Sequence, residues 1–371
     1  MKKVLFVANI SKHILRFHLP YLKWFKEHGF ETHVAAGGNE EIPWCDVKHE
    51  VSIERSPFSL KNIRAHKELK KIIEANQFAL VHGHTPMGGV LARTASVAAR
   101  KNGTKVLYTA HGFHFYKGSP LANWLLYYPV EKYLASYADG IITINHEDYR
   151  LLSDKNFQVK DKFYINGVGV DPARFNPITP EIKSKLRNEL GYSDNQFVLV
   201  YVAEFIHRKN HRFVIDAAVE LKSTIPDLKI LFAGRGILLE EMKKYAQDKG
   251  VSEYIDFLGF RTDIEKVMAI ADVGISASRQ EGLGLNLVEE MFLGLPVVAS
   301  QDRGHRELVV PGENGFLYEQ NKQEEFVSYI TQLYNDTEKR KAFGEKSKTF
   351  AEKFSLENSV NSMAKIYSHY L

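Results

Sequence analysis

Ser276-Ala-Ser-Arg-Gln-Glu281-Gly-Leu-Gly284-Leu-Asn-Leu-Val-Glu289-Glu-Met-Phe-Leu-Gly294-Leu-Pro296-Val-Val-Ala-Ser300 is the stretch on which the fold turns. Val273–Ser276 before it and Leu295–Ala299 at its end are short apolar runs that read as buried strands. Between them a glycine-interrupted loop leads into about two helical turns, with Leu285, Val288, Met291 and Phe292 on the inner side. Gly294 closes the helix and Pro296 forbids its continuation. This is a strand-loop-helix-strand unit of a parallel sheet, and ligands bind outside the carboxyl ends of such strands. Gly282, Leu283 and Gly284 form the loop, where the two glycines let backbone N–H groups approach an anion at the helix N-terminus. Glu281 stands before the helix and Glu289 inside it. Two carboxylates beside an anion site repel the anion, so their workable role is to accept hydrogen bonds from sugar hydroxyls flanking a diphosphate. The competing assignment is a capping acid and a solvated helix residue.

A Glu, seven residues and a second Glu, inside Glu-Gly-Leu-Gly-Leu-Asn-Leu-Val-Glu and followed by Gly-Leu-Pro-Val-Val-Ala, resembles the retaining GT-B glycosyltransferases of family 4. The resemblance implies two Rossmann-like α/β domains, each a doubly wound parallel sheet, facing a central cleft. It implies that Glu281 touches the donor sugar and Glu289 the nucleotide ribose.

The rest of the chain extends that expectation. The first half alternates strands (Lys3–Asn9, Glu31–Ala36, Ala79–His84, Lys105–His111, Gly140–Asn145, Lys162–Asn166) with helices, and the second half repeats the theme. Gly167-Val-Gly-Val-Asp171 through Pro177 is rich in turn formers and resembles the family's linker signature. The expected division is an acceptor-side domain over 1–168, a linker over 169–190, a nucleotide-sugar domain over 191–352, and a helix over 353–371 returning to the first domain.

Asn9–Pro20 reads as the loop after the first strand. It lacks the glycine pair many family members carry, and its Ser11, Lys12, His13, Arg16 and His18 are candidates to grip an acceptor. His82 and His84 share a strand face, but no third ligand is obvious for a metal. His111, at the end of a strand, fits the place of a family histidine that points at the donor sugar. Phe113 to Tyr116 reads as sugar-stacking aromatics or core, and Pro120–Tyr133 as membrane-interface contact or core.

Lys209 matches a family lysine that binds phosphate. Glu204 stands where the family has Arg, and Arg208 is the substitute cation. Gly234 provides a tight turn, and Gly259 and Phe260 match the loop that reads the nucleobase edge.

No Asp-x-Asp occurs, so the leaving diphosphate is expected to be neutralised by Lys209 and backbone donors, with no metal and no cofactor. One cysteine, Cys45, excludes an internal disulfide and a cysteine metal site. No apolar run of about 18 residues is present to span a membrane. Residues 1–166 hold 23 Lys and Arg against 15 Asp and Glu, whereas residues 167–371 hold 26 against 30. A basic half beside an acidic one suggests that the first half faces an anionic lipid surface.

The expected activity is transfer of a hexose or N-acetylhexosamine from a UDP-sugar to a lipid-linked saccharide, in the building of bacterial exopolysaccharide, capsule or another surface glycan. The enzyme is expected in the cytoplasm, peripheral on the inner face of the plasma membrane, with no nucleic-acid partner. The alternatives are a non-hydrolysing nucleotide-sugar epimerase and a non-catalytic binding protein of the same fold. A nicotinamide oxidoreductase would need Gly-x-Gly-x-x-Gly after the first strand, which Asn9–His13 lacks.

Overall fold

The computed structural model describes residues 1–371. The chain divides into two units, Met1–Gly169 with Glu357–Leu371, and Val170–Leu356.

The first unit is built on β1 (Lys3–Ile10), β2 (Glu31–Gly37), β3 (Val47–Glu50), β4 (Leu80–Gly83), β5 (Lys105–Ala110), β6 (Gly140–Thr143) and β7 (Asp161–Tyr164). They form one parallel sheet in the order β3-β2-β1-β4-β5-β6-β7. Val4, Leu5, Phe6 and Val7 of β1 are fully buried, because helices cover both faces of a parallel sheet. That is why β1 reads as a continuous apolar run and not an alternation. β3, Val47-Lys-His-Glu, was not expected; it is a short polar edge strand and leaves no apolar signature.

Asn9–Pro20 is not a loop. Helices Ser11–Phe17 and Leu19–Glu27 start directly after β1 and break only at His18, with Pro20 in the first turn of the second. The segment over 120–133 is a helix, Leu121–Leu134, whose two faces differ. Trp124, Tyr127 and Tyr128 pack against Phe113, Phe115 and Phe157, so the Phe113 and Phe115 rings are core. Leu121 and Leu125 on the opposite side are more than 70% exposed.

The C-terminal helix, Leu356–Tyr370, packs within this unit. Its Tyr367 ring lies 4.6 Å from Phe25, and its Tyr370 hydroxyl donates to the Asp161 carboxylate at 2.7 Å.

The second unit carries β8 (Phe197–Val202), β9 (Leu228–Ala233), β10 (Ile255–Gly259), β11 (Val273–Ser276), β12 (Val297–Ser300) and β13 (Gly315–Tyr318). Its parallel order is β10-β9-β8-β11-β12-β13. In each sheet the order reverses at the first strand of the unit, beside β1 and beside β8, and the crevice at the carboxyl end of such a switch point is where α/β sheets bind ligands. Helix Leu285–Phe292 buries Leu287, Val288, Met291 and Phe292, whereas Leu285, expected inside, is only half-buried.

Candidate active site

The carboxyl ends of β8 and β11 are adjacent in the second sheet, with Val273 beside Leu199 and Gly274 beside Val200. The chain leaving β8 makes a short turn over His207–Lys209, fixed where the buried Tyr201 hydroxyl donates to the Lys209 carbonyl at 2.6 Å. The chain leaving β11 brings Glu281. Its carboxylate accepts from Lys209 Nζ and from Arg208 Nη1, the latter at 3.1 Å. Arg208 Nη1 also donates to the Gln280 carbonyl at 2.7 Å. Burial opposes ionisation of Glu281, but the Lys209 and Arg208 cations outweigh it and hold its carboxyl down to about 2. A carboxylate ionised at neutral pH and two cations, one half-buried and one exposed, therefore sit together at the switch point.

The loop after Glu281 is locked from behind. Asp302 accepts from the Glu281 and Gly304 backbone N–H groups, both at 2.9 Å. Arg303 Nε donates to the Glu281 carbonyl at 3.2 Å. Gly284 has a φ of +103°, and a Cβ there would lie 3.2 Å from the His305 ring, so only glycine fits that conformation. His305 Nδ1 pairs with the Ser300 carbonyl at 2.7 Å, which fixes the proton on Nδ1 and leaves Nε2 buried without a partner beside Gly284. His305 lies 24 residues beyond Glu281 and carries no local signature; only folding brings it behind the loop. Leu283 is buried, Gly282 is half-buried, and Glu289 lies half-buried on helix Leu285–Phe292.

At the ends of β9 and β10, Gly234 N–H donates to the Gly259 carbonyl at 2.7 Å. A Cβ at Gly234 would lie 1.9 Å from the Ala203 carbonyl oxygen, so the tight turn requires glycine. Gly259 has a φ of +65° and turns Phe260 out to 65% exposure. The Arg235 guanidinium lies 5.0 Å from the Phe260 ring centre, a cation–π pair with an exposed aromatic face. Arg235, within the same turn, has no local sequence signature for that contact. Glu204 is exposed and is not part of the Glu281 ion pair.

In the first unit the polar segment after β1 separates. The Ser11 hydroxyl is buried and donates to the Gly37 carbonyl at 3.1 Å. Lys12 is exposed and pairs with Glu40 at 3.6 Å, and Arg16 is exposed beside Phe17. His13 and His18 turn inward to join His84 and His111 from the ends of β4 and β5. His18 stacks on His84 at 3.7 Å, and His13, His18 and His111 lie 5.0–5.5 Å apart ring to ring. Burial holds His13 down to about 4, with Arg55 adding to it, and holds His18, His84 and His111 well below the ordinary histidine value, with mutual repulsion adding to that. His82 is held by Thr109 Oγ1 at 2.8 Å and by the Tyr367 hydroxyl at 3.0 Å, the pattern of a structural histidine.

Comparison with known families gives the class. Residues 182–350 match the model for glycosyl transferases group 1, and residues 3–145 the model for glycosyl transferase 4-like proteins. The chain is 45% identical over 370 residues to the Bacillus subtilis protein EpsD, which carries a glycosyltransferase name, covering 100% of this chain and 97% of that one. The chain belongs to the group 1 glycosyltransferases and is an enzyme of that class.

It is also 28% identical over 283 residues to an Escherichia coli UDP-Gal:alpha-D-GlcNAc-diphosphoundecaprenol alpha-1,3-galactosyltransferase, covering 75% of this chain and 72% of that one. Among solved structures, Anabaena Alr3699/HepE in complex with UDP superposes with a TM-score of 0.81 at 21% identity, covering both chains in full. WaaG, a glycosyltransferase involved in lipopolysaccharide biosynthesis, superposes with a TM-score of 0.78 at 16% identity, covering 99% of each. These likenesses place the fold as GT-B.

Proposed function

We propose that the chain transfers a hexose or N-acetylhexosamine, with retention of anomeric configuration, from a UDP-sugar to a lipid-linked saccharide. The observation that carries this reading is the Glu281 carboxylate, buried and kept ionised by Lys209 and Arg208 where β8 and β11 end. A diphosphate entering there takes hydrogen bonds from the two cations and from backbone donors near Gly282 and Gly284. Glu281 is then released from part of its ion pair and accepts from a hydroxyl of the donor sugar. Glu289 accepts from the ribose hydroxyls, and Phe260 offers its exposed face to the uracil ring, with Gly234 and Gly259 shaping the turns beneath it. His111 completes the groups assigned to the donor sugar as a neutral imidazole donor, and His13, Lys12 and Arg16 are assigned to the acceptor. Ser11, whose hydroxyl is committed to Gly37, supports that segment from below.

In this reading no protein nucleophile is used. The departing phosphate accepts the acceptor's hydroxyl proton, and the ionised Glu281 stabilises positive charge developing on the sugar ring.

A lipid-linked acceptor is supported by the named activity of the Escherichia coli relative. It is also supported by the apolar face of helix Leu121–Leu134, on which Leu121, Leu125 and Tyr133 are 65–73% exposed, and by the surplus of Lys and Arg in residues 1–166. No helix is long and apolar enough to cross a membrane, so the proposed contact is peripheral.

The test is a donor screen. Protein is mixed with several UDP-sugars and a polyprenyl-diphosphate-linked sugar, and UDP release and the product anomer are read. Acceptor-dependent UDP release with an α-configured product supports the proposal. Release of UDP with an inverted product, or epimerised donor without UDP release, overturns it.

A further inference from the structure

We propose that His13, His18 and His111 form a three-imidazole site for a divalent transition-metal ion of the Zn²⁺ type, at the switch point of the first sheet. One ring nitrogen from each of the three lies within 4.8 Å of one from each of the others. The ring centres stand 5.0, 5.2 and 5.5 Å apart. Three imidazoles on a tetrahedral ion, with Zn–N bonds of about 2.05 Å and ring centres roughly 3.2 Å from the metal, would have ring centres about 5.2 Å apart. The ring centres already stand at that spacing, and rotation of the rings would bring the nitrogens from within 4.8 Å to the roughly 3.3 Å that a tetrahedral ion sets.

The hydrogen bonding points the same way. His18 is fully buried and neither of its ring nitrogens has a partner; Nε2 of His13 and Nε2 of His111 are likewise buried and unpaired. Buried polar atoms left without partners are rare, and several in one cluster call for a ligand that accepts no proton and takes lone pairs. A metal binds imidazole through a ring nitrogen lone pair, and each of the three rings offers a buried nitrogen with no competing partner.

His84, stacked on His18 at 3.7 Å, is too close to it to be a fellow ligand and instead fixes the His18 ring plane. His82 is occupied by Thr109 and Tyr367. The fourth position is therefore left to water or another external ligand. His13 and His111 are only partly buried, which gives an ion a way in. Binding through Nε2 of His13 and of His111 leaves Nδ1 of each for a substrate hydroxyl, so the site does not depend on the proposed transfer reaction.

The experiment uses the full chain without an affinity tag, stripped with a chelator and titrated with Zn²⁺ and, separately, Co²⁺. The expected result is one ion per chain, a rise in Tm with Zn²⁺, and the visible absorption of four-coordinate Co²⁺. His13→Gln and His111→Gln, both at partly exposed positions, should each weaken binding by at least 10-fold and abolish the Tm rise. His33→Gln, which breaks the distant His33–His49 pair, should leave binding unchanged. Absence of binding to the folded parent chain, unchanged binding in His13→Gln and His111→Gln, or loss of binding in His33→Gln overturns the proposal.

Discussion

Glu281→Gln isolates the charge at the centre of the proposed site. The side chain keeps its size, but its two oxygens no longer both accept from Lys209 and Arg208. The magnitude follows from the depressed carboxyl. With a folded value of about 2 against 4.5 for the free group, ionised Glu281 favours the native state by about 3 kcal/mol at pH 7. A depressed carboxyl contributes stability that is fully present above 4.5 and is lost as pH falls through about 2. By pH 3.5 the contribution has dropped to about 2 kcal/mol. Urea denaturation of parent and variant, followed by circular dichroism, should show a gap of about 3 kcal/mol at pH 7 that narrows by roughly 1 kcal/mol at pH 3.5. UDP affinity, measured by calorimetry, should be equal or tighter in the variant, because two cations lose their competing carboxylate. Sugar transfer should fall on the order of 10²–10³ in kcat. A gap below about 1 kcal/mol at pH 7, of the size of a surface pair, would show that Glu281 is solvated and not held by its ion pair. UDP binding that weakens in step with activity would place Glu281 at the nucleotide and not at the sugar.

Glu289→Ala should weaken UDP binding by about 1–3 kcal/mol, the loss of a charge-assisted hydrogen bond to ribose; unchanged affinity by calorimetry would remove that role. Chelation with EDTA should leave UDP affinity intact, since Lys209 and Arg208 hold the diphosphate, and a Mg²⁺ or Mn²⁺ requirement restored by titration would contradict this. Leu125→Glu should reduce sedimentation with vesicles containing anionic lipid, and salt should reduce it further because the attraction is screened over about 8–10 Å; parent protein that sediments equally with neutral vesicles would count against the membrane face. Gly234→Ala should cost more than about 2 kcal/mol in stability, because its Cβ would lie 1.9 Å from the Ala203 carbonyl oxygen; a smaller cost would mean that the β9 turn can relax.

The two sheets were legible because their strands are buried on both faces and so run apolar without interruption, as in Val4–Val7 and Val297–Val298. The turn from Glu281 to Gly284 was legible because glycine is required where φ is positive and backbone packs closely. These are local constraints, and a local constraint leaves its mark on neighbouring residues. β3 escaped because a polar edge strand needs no apolar pattern, and the helix from Ser11 escaped because histidines, Lys12 and Arg16 do not look like an amphipathic stripe. What the tertiary structure alone decided is which distant groups meet. Lys209 and Glu281 are 72 residues apart, yet burial makes each the other's counter-charge and lowers the carboxyl to about 2. His13 and His18, from the helices that follow β1, meet His84 and His111, from the ends of β4 and β5, only because those strands are parallel neighbours. Residue type fixes which charges and nitrogens a chain carries, but their energies depend on distance and burial, which a linear sequence does not contain.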